Sequence, residues 1–401
     1  MQTCNRCIFI VVLLLAVSMP VVAQDDAWVP VTGADTLRNF MSGRTAERRL
    51  PGGEVTRGEY FADGTGVVRE YGASFSRTWE VRGDDQICIS SARDHVCYTF
   101  ERNTADPDLY RGRNVVTGVA TEFRAEDKAA LTTETSREAG QGPGAATASA
   151  DEIAAELANP NTPLASLTFK LQFRGFTGDL HNADDQNSTT LLFQPSIPFP
   201  LDNGDTILFR PAIPLLIDQP MFNARKLDFD ETTGLGDIAF DLTYARTSDT
   251  GILTALGIIS SLPTATDDLG SDRFTLGPEI LLGKLTKEYV LGVFPNHQWD
   301  VGGTGDVDIN LTTMQVFATY LPGGGWNVGS VPIMNYDHNT NDWTIPINLQ
   351  FGKTIIAGGR PWKLAMELNY YIEQPDLFGP DWMIGFSVTP VVKNRIAEWF
   401  K

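Results

Sequence analysis

Charged side chains recur on one face of β-type segments in the C-terminal half of the chain, and together they have the chemistry of a polar passage. In the segment from Leu167 to Arg174, apolar residues take every second position, and Lys170 and Arg174 fall on the other face. Successive side chains of a strand point to opposite faces, so these charges share one surface. The residues predicted to line it are Lys170, Arg174, Arg210, Asp241, Glu279, Gln350 and Glu367. Rings of charge tune the selectivity of a pore; charges of both signs can also pair and close it, and the sequence favours neither.

Three histidines raise the question of catalysis. Serine hydrolysis needs a histidine within hydrogen-bond reach of the serine and a third group that orients the histidine. His181 and His338 fall in predicted loops and His297 near a strand end, and no matching serine motif accompanies them. We therefore predict that His297 is a lumen or interfacial histidine and that the protein is not an enzyme.

Cys88 and Cys97 are the cysteines that could act in a mature exported protein. Ser90, Ser91 and Asp94 between them predict a turn joining two strands, so a disulfide across a hairpin is expected. A metal site is the alternative, but two thiolates with His95 fall short of a structural zinc set. We predict no metal site and no cofactor.

Clustered carboxylates occur in the long connections, at Asp184-Asp185, Asp228 with Asp230-Glu231, Asp267-Asp268, and Asp306 with Asp308. None has the spacing of an EF-hand loop. We interpret them as a solvated outer surface that contacts lipid and lipopolysaccharide through bridging divalent cations. The net charge of −19 argues against nucleic acid as a partner.

The elements that must position these groups are strands, and connection length alternates between them. The connections run long at 178–188, short at 201–206, long at 218–235, short at 246–250 and long at 264–272. Outer-membrane barrels combine short periplasmic turns with long external loops. The fold class predicted is all-β, with a barrel of about twelve antiparallel strands over residues 164–394 and both chain ends in the periplasm.

Aromatic residues near strand ends support a barrel over a soluble sandwich, because such rings prefer the membrane interface. They are Trp299, Trp326, Tyr336, Trp343, Trp362 and Trp382. Prolines within the strands oppose regular pairing. They predict repeated bulges or kinks that bend the wall, at Pro195, Pro198, Pro211, Pro214, Pro263, Pro278, Pro295, Pro332, Pro346 and Pro390.

Three regions precede the barrel. Residues 1–23 read as a signal peptide, since an apolar run from Ile8 to Val17 leads to small residues. Residues 24–123 predict a small antiparallel β domain in the periplasm. Residues 124–163 predict a linker with a short helix capped by Ser149, which we interpret as a linker helix rather than a plug in the barrel mouth. Residues 395–401 form a tail.

Several motifs resemble an outer-membrane barrel family whose members are often labelled transporters or phenol-degradation (meta-pathway) proteins. The motifs are Phe193 to Pro200, Phe209 to Pro214, Gly234 to Asp241, Leu276 to Glu279 and Trp382 to Lys393. The likeness spans residues 155–394 and implies a channel or transporter of small molecules, hydrophobic or aromatic ones included. Residues Arg77 to Tyr98 resemble a small secreted domain of proteobacteria with paired cysteines, from which no function follows.

Two functions are compatible with these sequence features. The first is a passive channel or transporter for small molecules in the outer membrane of a Gram-negative cell. The alternative is a closed structural or interaction barrel that anchors a periplasmic domain, with a variant in which the N-terminal domain is exported through the pore.

Overall fold

The computed structural model describes residues 28–49, 55–91, 94–124, 148–248 and 250–398. They form two antiparallel sheets and three short helices, so the all-β fold class is confirmed. The signal peptide, most of the linker and the last three residues of the tail lie outside the described residues.

The N-terminal region is a meander of nine strands with one helix. Strands β2 to β9 pair in chain order, and β1 pairs with β7. The elements are β1 (Trp28–Pro30), α1 (Ala34–Met41), β2 (Arg44–Arg49), β3 (Val55–Tyr60), β4 (Thr65–Glu70), β5 (Ala73–Arg82), β6 (Gln86–Ser90), β7 (His95–Asn103), β8 (Leu109–Asn114) and β9 (Ala120–Arg124). Their buried faces enclose a core that includes Leu37, Phe40, Trp79, Ile87 and Phe100.

A disulfide joins Cys88 on β6 to Cys97 on β7, which are direct partners in the ladder. The predicted hairpin disulfide is confirmed. His95 lies beside it, with 3.6 Å between Cys97 Sγ and His95 Nε2. Because the two sulfurs are joined, they are not thiolates that could bind a metal with His95.

The double substitution Cys88→Ala and Cys97→Ala is expected to lower the unfolding free energy of the N-terminal sheet by about 2–3 kcal/mol, because the unfolded chain regains the entropy of an open loop. Hydrogen exchange of β6 and β7 measures the loss. The barrel should keep its heat-modifiable migration in gel electrophoresis, and reduction of the wild-type disulfide should reproduce the effect. Unchanged exchange would show that the ladder alone holds this hairpin.

The C-terminal sheet closes into a barrel of twelve strands, because β11 pairs with both β10 and β12 while β10 pairs with the last strand, β23. The predicted strand number is confirmed. Its elements are β10 (Ser166–Thr177), β11 (Asn187–Pro200), β12 (Thr206–Asn223), β13 (Asp228–Leu235), β14 (Ile238–Thr247), β15 (Ile252–Leu262), β16 (Arg273–Leu285), β17 (Tyr289–Gly303), β18 (Asn310–Gly323), β19 (Trp326–Ser330), β20 (Ile333–Asp337), β21 (Asp342–Ala357), β22 (Arg360–Glu373) and β23 (Gly379–Pro390). Strands β19 and β20 together act as one barrel strand, and β13 extends β12 as a hairpin. Helices α2 (Ala150–Glu156) and α3 (Arg395–Glu398) lie before and after the barrel in the chain.

The outer wall of the barrel is apolar. Large hydrophobic side chains are exposed all along it, among them Leu256 at 63% and Ile347 at 61%. Together they form a larger contiguous apolar patch than a soluble protein exposes. Indole rings lie near both ends of the strands. Trp299, Trp343 and Trp382 mark the end with the long loops, and Trp326 and Trp362 the end with the short turns. This is the pattern of a wall that faces lipid between two interfacial aromatic bands.

Of the ten strand prolines that the sequence singled out, one lies at a shift of register and others interrupt the ladder. Pairing of β16 with β17 is broken around Pro278 and Pro295 although the register is kept, and a register shift occurs beside Pro346. Of the four other shifts in the barrel, one spans Pro322, one has Pro380 as the register partner of Phe176, and two have no proline at the shift. Register shifts therefore recur in the wall, three of the five with a proline at the shift, while most of the prolines named in the prediction only interrupt the ladder. A missing N–H removes one bond but does not insert a residue.

The two ends of the barrel differ. Turns at 201–205, 286–288, 324–325 and 358–359 are short, whereas the opposite end carries the loops at 178–186 and 263–272 and the β13 hairpin. Both ends of the barrel segment lie at the short-turn end, where Ser166 bridges Val391. Within the described residues, no helix is long and apolar enough to cross a membrane.

Candidate functional site

A cavity of about 490 Å³ lies inside the barrel, and polar side chains from most of its strands line it. Six of the seven residues predicted for the lumen are among them: Lys170, Arg210, Asp241, Glu279, Gln350 and Glu367. Arg174 is not part of this lining. It lies farther along β10 toward the long loops, where its guanidinium approaches the Met383 sulfur at 3.9 Å.

Arg210 and Asp241 form an ion pair on neighbouring strands β12 and β14. The Arg210 Nε donates to both carboxylate oxygens, at 2.8 and 3.1 Å, and another guanidinium nitrogen donates to the Pro160 carbonyl at 3.3 Å. The guanidinium also stacks over the Phe294 ring, 5.2 Å from its centre. These contacts leave Arg210 little freedom, so this pair is a fixed part of the wall.

Glu367 on β22 belongs to an amide network. Asn348 and Asn369 each donate to its Oε1 at 3.0 Å, and Asn348 also donates to Asn369. Lys170 on β10 and Lys363 on β22 lie on the same part of the wall, since both strands pair with β23. Lys363 donates to the Leu157 carbonyl at 3.3 Å. The interior thus has a wall rich in ammonium groups.

Helix α2 enters the barrel at the short-turn end, so the preference for a linker helix is wrong. Ser149 caps it in a capping box with Glu152, as the sequence predicted for the cap. Residues 157–160, just after the helix, line the cavity. Ala155 and Ala158 pack on an apolar collar formed by inward side chains near the short turns: Leu208, Ala245, Leu253, Ala255, Leu281, Val290, Phe294, Phe317 and Leu321. We call α2 with residues 157–163 the plug.

Polar contacts fix the plug to the wall. Asp151 accepts a hydrogen bond from the Gly325 amide in a short turn, and Asn161 donates to the carbonyls of Arg246 and Thr254 at 3.0 and 3.1 Å. Burial raises the pKa of the Glu156 carboxyl, although hydrogen bonds from Thr162 and Asn159 oppose this. The plug is therefore held by groups that would be exposed if it left.

The N-terminal sheet docks on the plug. Arg77 on β5 forms a bidentate pair with Glu152, at 2.5 and 2.9 Å, and both side chains are more than nine-tenths buried. The Ala148 amide donates to Glu70, and the Tyr71 hydroxyl reaches the Gly359 carbonyl in a barrel turn. A shared apolar cluster joins both regions: Val68, Tyr71, Ala73, Phe75, Ala148, Ile153, Leu164 and Val391. The domain, the plug and the barrel mouth form one packed unit.

Two of the histidines meet on the outer wall, not in the lumen. The Thr312 hydroxyl lies 2.7 Å from His297 Nδ1 and 2.8 Å from His338 Nε2, beside the rings of Trp299 and Tyr336. The sequence did not predict this contact, because residues 297 and 338 lie on different strand pairs. That His297 has no catalytic role stays a prediction.

Several carboxylates at the long-loop end have structural partners. Asp237 accepts hydrogen bonds from the amides of Thr264, Ala265 and Ser271, which orders the 263–272 loop. Arg273 pairs with Asp300 at 3.3 Å and Asp308 at 3.1 Å. These acids hold loops together, whereas the acidic pair at 267–268 faces solvent.

Sequence reasoning missed Lys363 and Asn296 as lining residues. Lys363 sits on the polar face of the clear alternation in β22, so that signal could have found it. Asn296 stands between Pro295 and His297, where the alternation is interrupted.

These features define the class of the molecule. A closed antiparallel barrel with an apolar outer wall and a polar interior is an outer-membrane β-barrel fold.

Comparison with known proteins adds a likeness at the level of fold. No family model matches the chain, and no curated protein matches it. A crystal structure of an outer-membrane channel from Pseudomonas putida F1 is similar, at 12% identity and a TM-score of 0.47, over 57% of this chain and 95% of that one. The NanC porin is similar at 10% identity and a TM-score of 0.34, over 56% of this chain and 99% of the porin.

Proposed function

We propose that the protein is an outer-membrane channel through which small molecules diffuse passively. The observation that supports this is the polar cavity enclosed by a closed, lipid-facing wall. A barrel whose only task is to anchor a domain has no need of an interior lined by ionised groups, because burying charge is costly.

We place the N-terminal domain in the periplasm. It docks at the short-turn end, through contacts such as Tyr71 with Gly359, and short turns of outer-membrane barrels face the periplasm. The acidic loops then lie outside the cell. There we propose that they contact lipopolysaccharide through divalent cations, since hard cations prefer carboxylate oxygens.

The solute class is a separate question. A hydrophobic or aromatic solute, which the family resemblance implies, would need an apolar path. The cavity instead presents lysine, glutamate, asparagine and glutamine side chains, and its apolar part near the short turns is already filled by the plug. The lining favours a polar solute.

The plug supports a second candidate, a closed barrel that anchors a periplasmic domain. The helix fills the apolar collar and is held by the buried Arg77 and Glu152 pair. A channel whose plug moves and a barrel whose plug never moves share this static arrangement, so transport has to be measured.

Full-length protein in planar lipid bilayers is expected to pass ions in discrete steps, because charged groups line its interior. Measurement of single-channel current in KCl, with liposome swelling for uncharged solutes, tests this. A heat-denatured sample of the same preparation is the control. If neither the folded protein nor a variant with a loosened plug carries current or solute, the channel proposal is wrong and the anchoring barrel stands.

A further inference from the structure

Within the part of the chain that the structure describes, two acceptor oxygens in the cavity wall have no hydrogen-bond donor. Glu279 on β16 is only 3% exposed, and its Oε1 has no hydrogen-bond partner among the described residues. Asn296 is its direct partner on β17, and the buried Asn296 Oδ1 likewise lacks one in that part of the chain. Both residues line the cavity. Buried polar atoms are nearly always hydrogen-bonded in native proteins, so a pair of adjacent exceptions in a cavity wall marks a place for a donor that enters the cavity, either water or a solute.

The local charge specifies what kind of donor fits. Asp241 and Arg210 are the charged neighbours of Glu279. Arg210 is already engaged with the Asp241 carboxylate and the Pro160 carbonyl. One guanidinium thus faces two buried carboxyl groups, and ionisation of both would leave an excess negative charge that a bound cation would balance. A protonated amine brings both the missing positive charge and several N–H donors.

The part of the wall that carries Lys170 and Lys363 has the opposite charge and would attract an anionic group. Lys170 and Lys363 both line the cavity, and no carboxylate among the described residues forms an ion pair with either within 4.0 Å. Glu367, the acid on that wall, attracts Lys170 without forming a close ion pair and is hydrogen-bonded by Asn348 and Asn369, so two ammonium groups face one carboxylate. These lysines project from β10 and β22, which flank β23, whereas Glu279 and Asp241 project from β16 and β14 on another part of the barrel. Complementary groups of opposite sign therefore line separate parts of one cavity.

We propose that this cavity is a binding site for a small zwitterion, with its ammonium group at Glu279 and Asn296 and its carboxylate toward Lys170 and Lys363. The site rests on the proposed channel function and names the solute class of that channel. A cavity of about 490 Å³ has the volume of an ordinary small-molecule site. Binding supplies donors to the unpartnered oxygens and gives the two lysines a second carboxylate beside Glu367.

The test is equilibrium binding to the folded full-length protein in detergent, with labelled 4-aminobutanoate as the probe. Butanoate and butanamide, which lack the amine and differ in charge, are the competitors of similar size. We expect 4-aminobutanoate to bind about tenfold or more tightly than either, because each loses a charge-assisted contact. Glu279→Gln and Lys170→Met are each expected to weaken binding of the zwitterion by about tenfold.

The control variants make the same two types of substitution at residues outside the cavity. Glu288→Gln and Lys287→Met alter exposed residues of the β16 to β17 turn and should leave binding unchanged. Heat-modifiable migration shows whether each variant folds, and the isosteric glutamine of Glu279→Gln retains an acceptor oxygen. If Lys170→Met does not fold, Lys170→Arg, which keeps the charge, should bind like the wild type.

The possible outcomes distinguish the binding-site proposal from the channel proposal. Binding that favours the zwitterion and depends on Glu279, in a protein that never conducts, would uphold the site and overturn the channel. Conduction with equal affinity for 4-aminobutanoate and butanamide would uphold the channel and overturn the site. If Glu279→Gln changes only the ion selectivity in KCl and leaves zwitterion binding intact, the proposal is also wrong.

Discussion

Replacement of Arg77 by methionine is expected to raise the ion conductance of the barrel severalfold. Arg77 is the partner of Glu152 in a buried bidentate pair, and its loss leaves a carboxylate without a counter-ion at the base of the plug. Removing one member of a buried pair costs about 3–5 kcal/mol, because the other charge stays desolvated. The Glu152 carboxylate regains water only if the plug and domain separate, so the open state gains population. Single-channel recording of the full-length variant measures this.

Two further substitutions make the experiment specific. Glu152→Gln added to Arg77→Met removes the stranded charge while glutamine preserves the capping box, so conductance should return toward the wild-type value. Arg38→Met breaks an ion pair whose side chains are 63% and 95% exposed, and it should have no effect. Equal conductance in Arg77→Met and wild type would mean that the plug is immobile and would favour the anchoring barrel.

The wall was predictable from the sequence because strand alternation is a local signal. In β10 the apolar Phe169, Leu171 and Phe173 alternate with polar residues, and a slip of one residue would turn every charge toward lipid. Six of the seven predicted lining residues could be placed in the same way. Arg174 shows the limit, since the face of a residue follows from alternation but its depth along the pore does not.

The plug was not predictable because its partners are distant in the chain. The α2 sequence shows a cap and a small apolar face, which suits a linker helix as well as a buried one. What decides its position is the collar of side chains from β12 to β18, together with Arg77, 75 positions before Glu152. Likewise, Glu279 and Asn296 are neighbours only because of the β16 to β17 register. Pro278 and Pro295 beside them interrupt the alternation of polar and apolar residues that would have indicated which face they occupy.

Stability provides the sharpest test that the outer wall faces lipid. Leu256 lies within β15, 63% exposed, between the outward side chains of Tyr244 and Ile280 on the adjacent strands. Leu256→Arg is expected to lower the unfolding free energy of protein in vesicles by about 1–2 kcal/mol. This is less than the cost of a guanidinium at the bilayer midplane, because the Tyr244 hydroxyl beside Leu256 reaches Asn203 and Asp205 in a short turn. Denaturant titration measures the loss.

The matched control is Leu227→Arg. Leu227 is also a leucine, and its exposure of 66% is close to that of Leu256. It lies, however, in the turn between β12 and β13 at the long-loop end. In water, the arginine there should cost less than about 0.5 kcal/mol, because surface substitutions of this kind are nearly neutral. The difference between the two variants isolates the contribution of lipid from that of lost leucine contacts. Equal losses for the two variants would place the Leu256 face in water and remove the basis for treating the interior charges as a lumen.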